Sequence, residues 1–129
     1  LVACGAMVRV ARQAAEQAKA NIEVIDLLSI WPWDRKLIGE SVARTGRLVT
    51  LEESPEGSGW GGTVAAAIGE DLFGKLKAPP CRITLPDAPV PYAGNLEARF
   101  LPSPDYVAQQ IDSLVANNRA PAPWWRMAS

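Results

Sequence analysis

Four glycines and three glutamates, set close together, carry most of the chemical promise of this 129-residue sequence. Gly57, Gly59, Gly61 and Gly62 stand where a strand should hand over to a helix. Backbone N–H groups exposed at such a helix start can hold a phosphate. The spacing is not G-x-G-x-x-G, and no Lys–Ser/Thr pair follows, so neither common phosphate fingerprint is met. The competing reading is a turn whose missing side chains allow close packing of a helix or a second subunit. Just before it come Glu52, Glu53 and Glu56, at the carboxyl end of the expected strand. Open α/β sheets bind their ligands at that end. Neighbouring carboxylates there can hold a cation or raise one another's pKa. An acidic run in a loop otherwise faces water.

What is missing narrows the chemistry further. The chain has no histidine, the usual general acid and base near neutral pH. Ser–His and Cys–His nucleophile systems are therefore excluded. The two cysteines, Cys4 and Cys81, each fall in an expected buried strand, where free Cys behaves as a small apolar residue. Two isolated cysteines do not suggest zinc. Lys plus Arg number 13 against 14 Asp plus Glu, which lacks the basic excess of a nucleic-acid surface. No apolar run approaches the roughly 20 residues that span a bilayer. The expectation is a cytoplasmic protein with neither nucleic acid nor membrane as partner. The chain starts at Leu1 without Met, and reads as a piece of a longer protein or one whose start is not represented.

The elements that would position these residues alternate between strand and helix. Residues 1–5 read as a short buried strand ending in Gly. Met7, Val10, Ala11, Ala14, Ala15 and Ala18 then recur at helical spacing. Residues 22–28 form a second apolar run, broken by Trp31–Pro32–Trp33. Asp34 is suited to cap the next helix, which carries Leu37, Ile38 and Val42 and ends at Gly46. Residues 48–51 are a third strand. A helix with Val64, Ala67, Ile68 and Leu72 follows the glycine turn and stops at Gly74. Residues 81–85 are a fourth strand. Five prolines within 86–104 predict little regular structure. Ser103 and Pro104 suit the start of a last helix, with Val107, Ile111, Leu114 and Val115 along it. The pattern predicts an α/β domain over residues 1–117, a mainly parallel sheet covered on both faces. Residues 118–129 are a Pro- and Trp-containing tail, flexible unless it docks.

Aromatics outside the helix stripes point to contact with another protein. Trp31, Trp33, Trp60, Tyr92, Trp124 and Trp125 all fall in expected loops, and aromatics are enriched at interfaces. Several segments together then resemble a known family. "IEVIDLLSIWPWD" at residues 22–34, "TGRLVTLEE" at 45–53 and "GSGWGGTVAAAI" at 57–68 are similar to the C-terminal domain of the beta subunit of 2-oxo acid dehydrogenases. "APPCRITLPDAPVPYA" at 78–93 is the most specific segment, and "FLPS" at 100–103 closes the domain. Related domains end transketolase and deoxyxylulose-phosphate synthase, usually without the Pro-Asp-x-Pro-x-Pro-Tyr segment.

The resemblance implies a three-layer α/β/α sandwich, like the transketolase C-terminal domain, with a mostly parallel mixed sheet. Four to five strands are expected, since the family's edge strand precedes the segment matching Leu1. It implies an enzyme that uses thiamine diphosphate and magnesium, bound elsewhere than in this domain. No catalytic, cofactor-binding or metal-binding residue carries over. Family members often have a His after the third strand, where this chain has Glu52–Glu53–Ser54, which puts any role of that loop in doubt.

The first functional expectation is an assembly and partner-docking domain of a pyruvate-type or branched-chain-type decarboxylase component, without turnover of its own. Its partners would be a second copy, the alpha subunit and the acyltransferase core. Trp60, Gly61, Gly62, Pro91 and Tyr92 are the expected subunit interface, and Glu70, Asp71, Trp124 and Trp125 the expected docking contacts. The second is a free-standing module binding phosphate or a nucleotide at residues 57–62. A fragment without present function is the third.

Overall fold

A computed structural model describes residues 1–126. Strands β1 (Val2–Ala3), β2 (Ile25–Asp26), β3 (Val49–Pro55) and β4 (Cys81–Leu85) form one sheet in the order β2-β1-β3-β4. Every neighbouring pair is parallel. The antiparallel member of the expected mixed sheet is not found among the described residues. Strand order reverses between β1 and β3, which makes their carboxyl ends the switch point of the sheet.

Five α-helices accompany the strands: α1 (Ala6–Gln17), α2 (Arg35–Thr45), α3 (Trp60–Leu72), α4 (Gly94–Phe100) and α5 (Pro104–Asn117). Period two in the strands separates the two cores. Ala3, Val49, Leu51, Cys81 and Ile83 point to one face, against Met7, Val8, Ala11 and Ala14 of α1 and Val107, Ile111 and Leu114 of α5. Val2 and Ile25 point to the other face, against Ile38 and Val42 of α2 and Val64 and Ile68 of α3. Each Val, Leu, Ile or Met among them contributes about 1.5–3 kcal/mol on burial. The result is the expected three-layer sandwich.

The helix ends follow their sequence signals. Asp34 accepts the Leu37 N–H at 2.8 Å, and Gly46 takes the left-handed conformation past α2 with φ 75°. Ser103 accepts the Tyr106 N–H at 3.2 Å, with Pro104 in the first turn of α5. Both cysteines are free, and burial pushes the Cys81 thiol up to about 11.

Four expectations are corrected. The strand over 22–28 shrinks to Ile25–Asp26, because β1 offers only two residues to pair with. Cys4 lies just past β1 and is only half-buried. β3 continues beyond Leu51 to Pro55, with an irregularity in its pairing to β4. The Pro-rich segment holds α4, seven residues between Pro91 and Pro102 with none buried.

Candidate functional site

The extension of β3 changes the reading of the acidic run. Val49 and Leu51 face α1 and α5, so alternation turns Thr50 and Glu52 toward α3. On β4 the same alternation turns Arg82 and Thr84 to that side. Thr50, Glu52 and Thr84 are buried, with Glu52 only 2% exposed. Glu53 remains exposed. Four polar side chains thus form a layer beneath the first turn of α3, where a sheet face would otherwise be apolar.

Glu52 meets the glycine turn from below. Its Oε1 accepts the Gly61 N–H at 3.1 Å, and the Trp60 N–H also contributes. Gly59, at the N-cap of α3, has no capping side chain. A strand carboxyl group therefore accepts the N–H that a capping side chain would otherwise take. Burial raises the Glu52 pKa, opposed by the Gly61 N–H, the charge of Arg82 and the Trp60 N–H. Arg82 donates through Nη2 to the Glu56 carbonyl at 2.6 Å, joining the layer to the loop after β3. Thr50 Oγ1, Glu52 Oε2 and Arg82 Nε have no partner among the described residues.

The glycines are explained by this contact. A Cβ on Gly59 or Gly61 would lie 2.5 Å from Glu52 Oε1, and one on Gly61 would also overlap Thr50 Oγ1. A Cβ on Gly62 would stand 3.0 Å from Arg82 Nη1. The turn is therefore shaped around the protein's own carboxylate. The seat that a phosphate would use at this helix start is filled by Glu52, which removes the main support for an anion site at residues 57–62. Gly57 acts elsewhere, where its N–H donates to Asp87 Oδ1 at 2.9 Å and ties the loops after β3 and β4 together.

The expected interface residues divide in two. Trp60 is the first residue of α3 rather than a loop residue, is half-buried and packs on the α2/α3 core. Gly61 is buried and Gly62 partly so. These three serve contacts within the chain first. Tyr92 is fully exposed, beside a partly buried Pro91. The segment after β4 also exposes Val90 and Leu96. At the opposite border of the sheet, the segment after β2 exposes Leu28 at 88% and Trp31 at 79%, with Ile30 between them. The carboxyl end of the sheet is thus flanked at both borders by loops that present large apolar side chains to water. Trp31 was legible as a loop aromatic; Leu28 stood at the end of the expected apolar run over 22–28 and gave no such signal.

The expected docking residues also differ from one another. Glu70 is exposed. Asp71 is held by Arg35 through two hydrogen bonds of 2.7 Å, which join α3 to α2 and lower its pKa. Trp124 and Trp125 do not hang free. They lie in a 3-10 turn, Trp124–Arg126, with their rings edge to face at 5.6 Å. The Trp124 N–H reaches the Tyr106 hydroxyl at 3.4 Å, and Arg126 pairs with Glu56 at 2.7 Å. The expected flexible tail is therefore docked through residue 126; the rest of it, 127–129, lies outside the described residues.

No helix among the described residues is long and apolar enough to cross a membrane. Comparison with known proteins gives a consistent result. The family model for the transketolase C-terminal domain matches residues 1–107. A protein of Leifsonia xyli named pyruvate dehydrogenase E1 component subunit beta is 40% identical over 119 residues, 90% of this chain and 35% of that protein. A mitochondrial pyruvate dehydrogenase E1 component subunit, beta-1, of Oryza sativa is 45% identical over 105 residues, 79% of this chain and 28% of its own length. The 3-methyl-2-oxobutanoate dehydrogenase subunit beta of Mycobacterium tuberculosis is 37% identical over 119 residues, 89% of this chain and 34% of that protein. The chain spans about a third or less of the length of the curated relatives it matches.

Proposed function

The chain belongs to the transketolase C-terminal domain family, and on that premise we propose that it is the assembly and partner-docking domain of a 2-oxo acid dehydrogenase beta subunit. The observation that carries this reading is the pair of loops, one after β2 and one after β4, that expose large apolar side chains at the two borders of the sheet. Leu28, Trp31 and Tyr92 expose most of their surface there. Exposed apolar patches of this kind mark contact surfaces, and a single buried aromatic anchor often dominates an interface. The pyruvate and branched-chain names of the relatives support a place in such a complex. A second copy and the alpha subunit fit the apolar loops. The acyltransferase core fits Glu70, Asp71, Trp124 and Trp125, in a cytoplasmic complex.

Thiamine diphosphate and magnesium belong to the whole enzyme in this reading. The described residues do not fit either group. No three His, Cys, Asp or Glu side chains converge among them as metal ligands. The start of α3, which could hold a diphosphate, is filled by Glu52. In this proposal the contribution of the domain is contact and positioning.

Solution mass by light scattering tests the proposal, with a Trp31→Ala/Tyr92→Ala double variant beside the wild type. Both side chains are exposed, so the variant leaves the two cores intact, which Trp60→Ala would not. The wild type is expected to be a dimer, and the variant's dissociation constant to rise tenfold or more, as for loss of an aromatic anchor (roughly 1.4 kcal/mol or above). A monomeric wild type at high concentration would overturn the self-association claim.

A further inference from the structure

β4 is the last strand of the sheet, and its outer edge is not paired among the described residues. The Cys81 N–H donates inward to the Leu48 carbonyl at 2.9 Å. Residues of a parallel strand direct their N–H and C=O groups to alternate sides. Arg82 and Thr84 therefore direct theirs outward. Neither N–H has a hydrogen-bond partner among the described residues. An open edge of this kind is a template for another strand, and proteins normally cover or pair it.

The tail partly covers it. After α5 the chain turns at Asn118, where Arg47 holds the Asn118 side chain at 2.5 Å. It then returns toward the carboxyl end of the sheet, where Trp124 meets Tyr106 and Arg126 meets Glu56. The tail runs beside β4 without joining its ladder. Pro121 and Pro123 have no N–H to donate to it. Between tail and strand a cleft of about 800 Å³ remains, with Pro80, Arg82 and Thr84 on one wall and residues 120–123 on the other. That volume lies within the range of built binding sites. The charged side chains along the cleft are Arg82, Arg119, Arg126 and Glu56. Arg126 pairs with Glu56 and Arg82 acts on Glu52, so Arg119 carries the excess positive charge. Arg119 is exposed and makes no hydrogen bond or ion pair among the described residues.

The geometry points to a second docking site: an extended peptide segment of a partner protein, carrying acidic side chains, enters this cleft and adds as a strand to the outer edge of β4. Main-chain bonds to Arg82 and Thr84 provide the register. Arg119 faces the acidic side chains and gives the preference for negative charge. The tail, clamped at both ends, forms the far wall and leaves space for one strand. This surface is separate from the apolar loops, so it does not depend on the dimer reading.

The test uses the full chain and a capped octapeptide of alternating valine and glutamate. Amide hydrogen exchange is followed by NMR at Arg82 and Thr84, with Cys81 and Ile83 as inward-facing controls. At saturation the exchange of Arg82 and Thr84 slows by roughly tenfold or more, and the controls do not change. The same peptide N-methylated at alternate residues loses the protection. The Arg119→Glu variant weakens binding about tenfold at low salt, and less at high salt. The proposal fails if the two outward amides are unaffected, or if a valine–lysine peptide protects them equally. It also fails if they are already protected without peptide, through the tail or, with rising protein concentration, through a second copy.

Discussion

Strands β3 and β4 show two different chemistries to the helices on either side of them. Toward α1 and α5 they present Val49, Leu51, Cys81 and Ile83, all apolar or nearly so, against an equally apolar helix surface. Toward the start of α3 they present Thr50, Glu52, Arg82 and Thr84, and the helix answers with glycines. The first face is held by apolar area alone. The second is held by a carboxylate at a helix start, a guanidinium and close backbone approach. A glycine-rich turn after a strand therefore need not await a ligand. Here the strand itself supplies the carboxyl group that meets the turn.

Substitutions at each face separate the two modes of packing. On the apolar side, Leu51→Ala leaves a cavity in a site with no exposure. It is expected to destabilise by about 2–5 kcal/mol, read from denaturant midpoints, with the larger value if α1 and α5 cannot close on the gap. A loss below about 1 kcal/mol would mean that this core is looser than its burial indicates.

On the polar side, Gly61→Ala inserts a methyl group against Thr50 and Glu52. Overpacking at such a site is expected to destabilise by about 1–3 kcal/mol, although the same change in a free helix start would be neutral or stabilising. Adding Thr50→Ala, which removes the Oγ1 that the new methyl group would meet, should return part of the loss. Full tolerance of Gly61→Ala would show that the helix does not sit on the carboxylate.

Much of the fold was legible in the sequence. Asp34, Gly46, Ser103 and Pro104 mark helix ends through local chemistry, and the 3.6-residue stripes mark the buried faces of α1 and α5, except that Val115 is exposed and Val8, outside the expected stripe, is buried. The site was legible only in part. The run Val49–Thr50–Leu51–Glu52 alternates cleanly, and so does Cys81–Arg82–Ile83–Thr84. Neither run says which strand lies next to which. Only the β3–β4 register, pairing Thr50 with Arg82, shows that their polar residues share a layer. Three acids within five residues look solvated when read one by one, so the burial of Glu52 was missed. Helix α4 was missed because the prolines around it dominate the local signal and no buried stripe marks it. The tail contacts join Glu56 to Arg126 and Tyr106 to Trp124, across distances in sequence that no local pattern spans.

The mildest of these substitutions, Glu52→Gln, asks whether the Glu52 carboxyl group is buried under the glycine turn. Thermal midpoints of the wild type and Glu52→Gln should be measured side by side from acid to neutral pH. Glutamine can still accept the Gly61 N–H but never ionises. Burial raises the Glu52 pKa, so over the window from the ordinary glutamate range up to that raised value the folded state binds the extra proton. Stability of the wild type must then fall relative to Glu52→Gln as pH rises through the window, and level off above it. The other shifted groups, Glu23 and Asp71 among them, are common to both proteins and cancel in the difference. The midpoints should match at acid pH, and a gap favouring Glu52→Gln should open toward neutrality. Curves that stay parallel across the whole range would place the Glu52 carboxylate in water and rule out its burial under the turn.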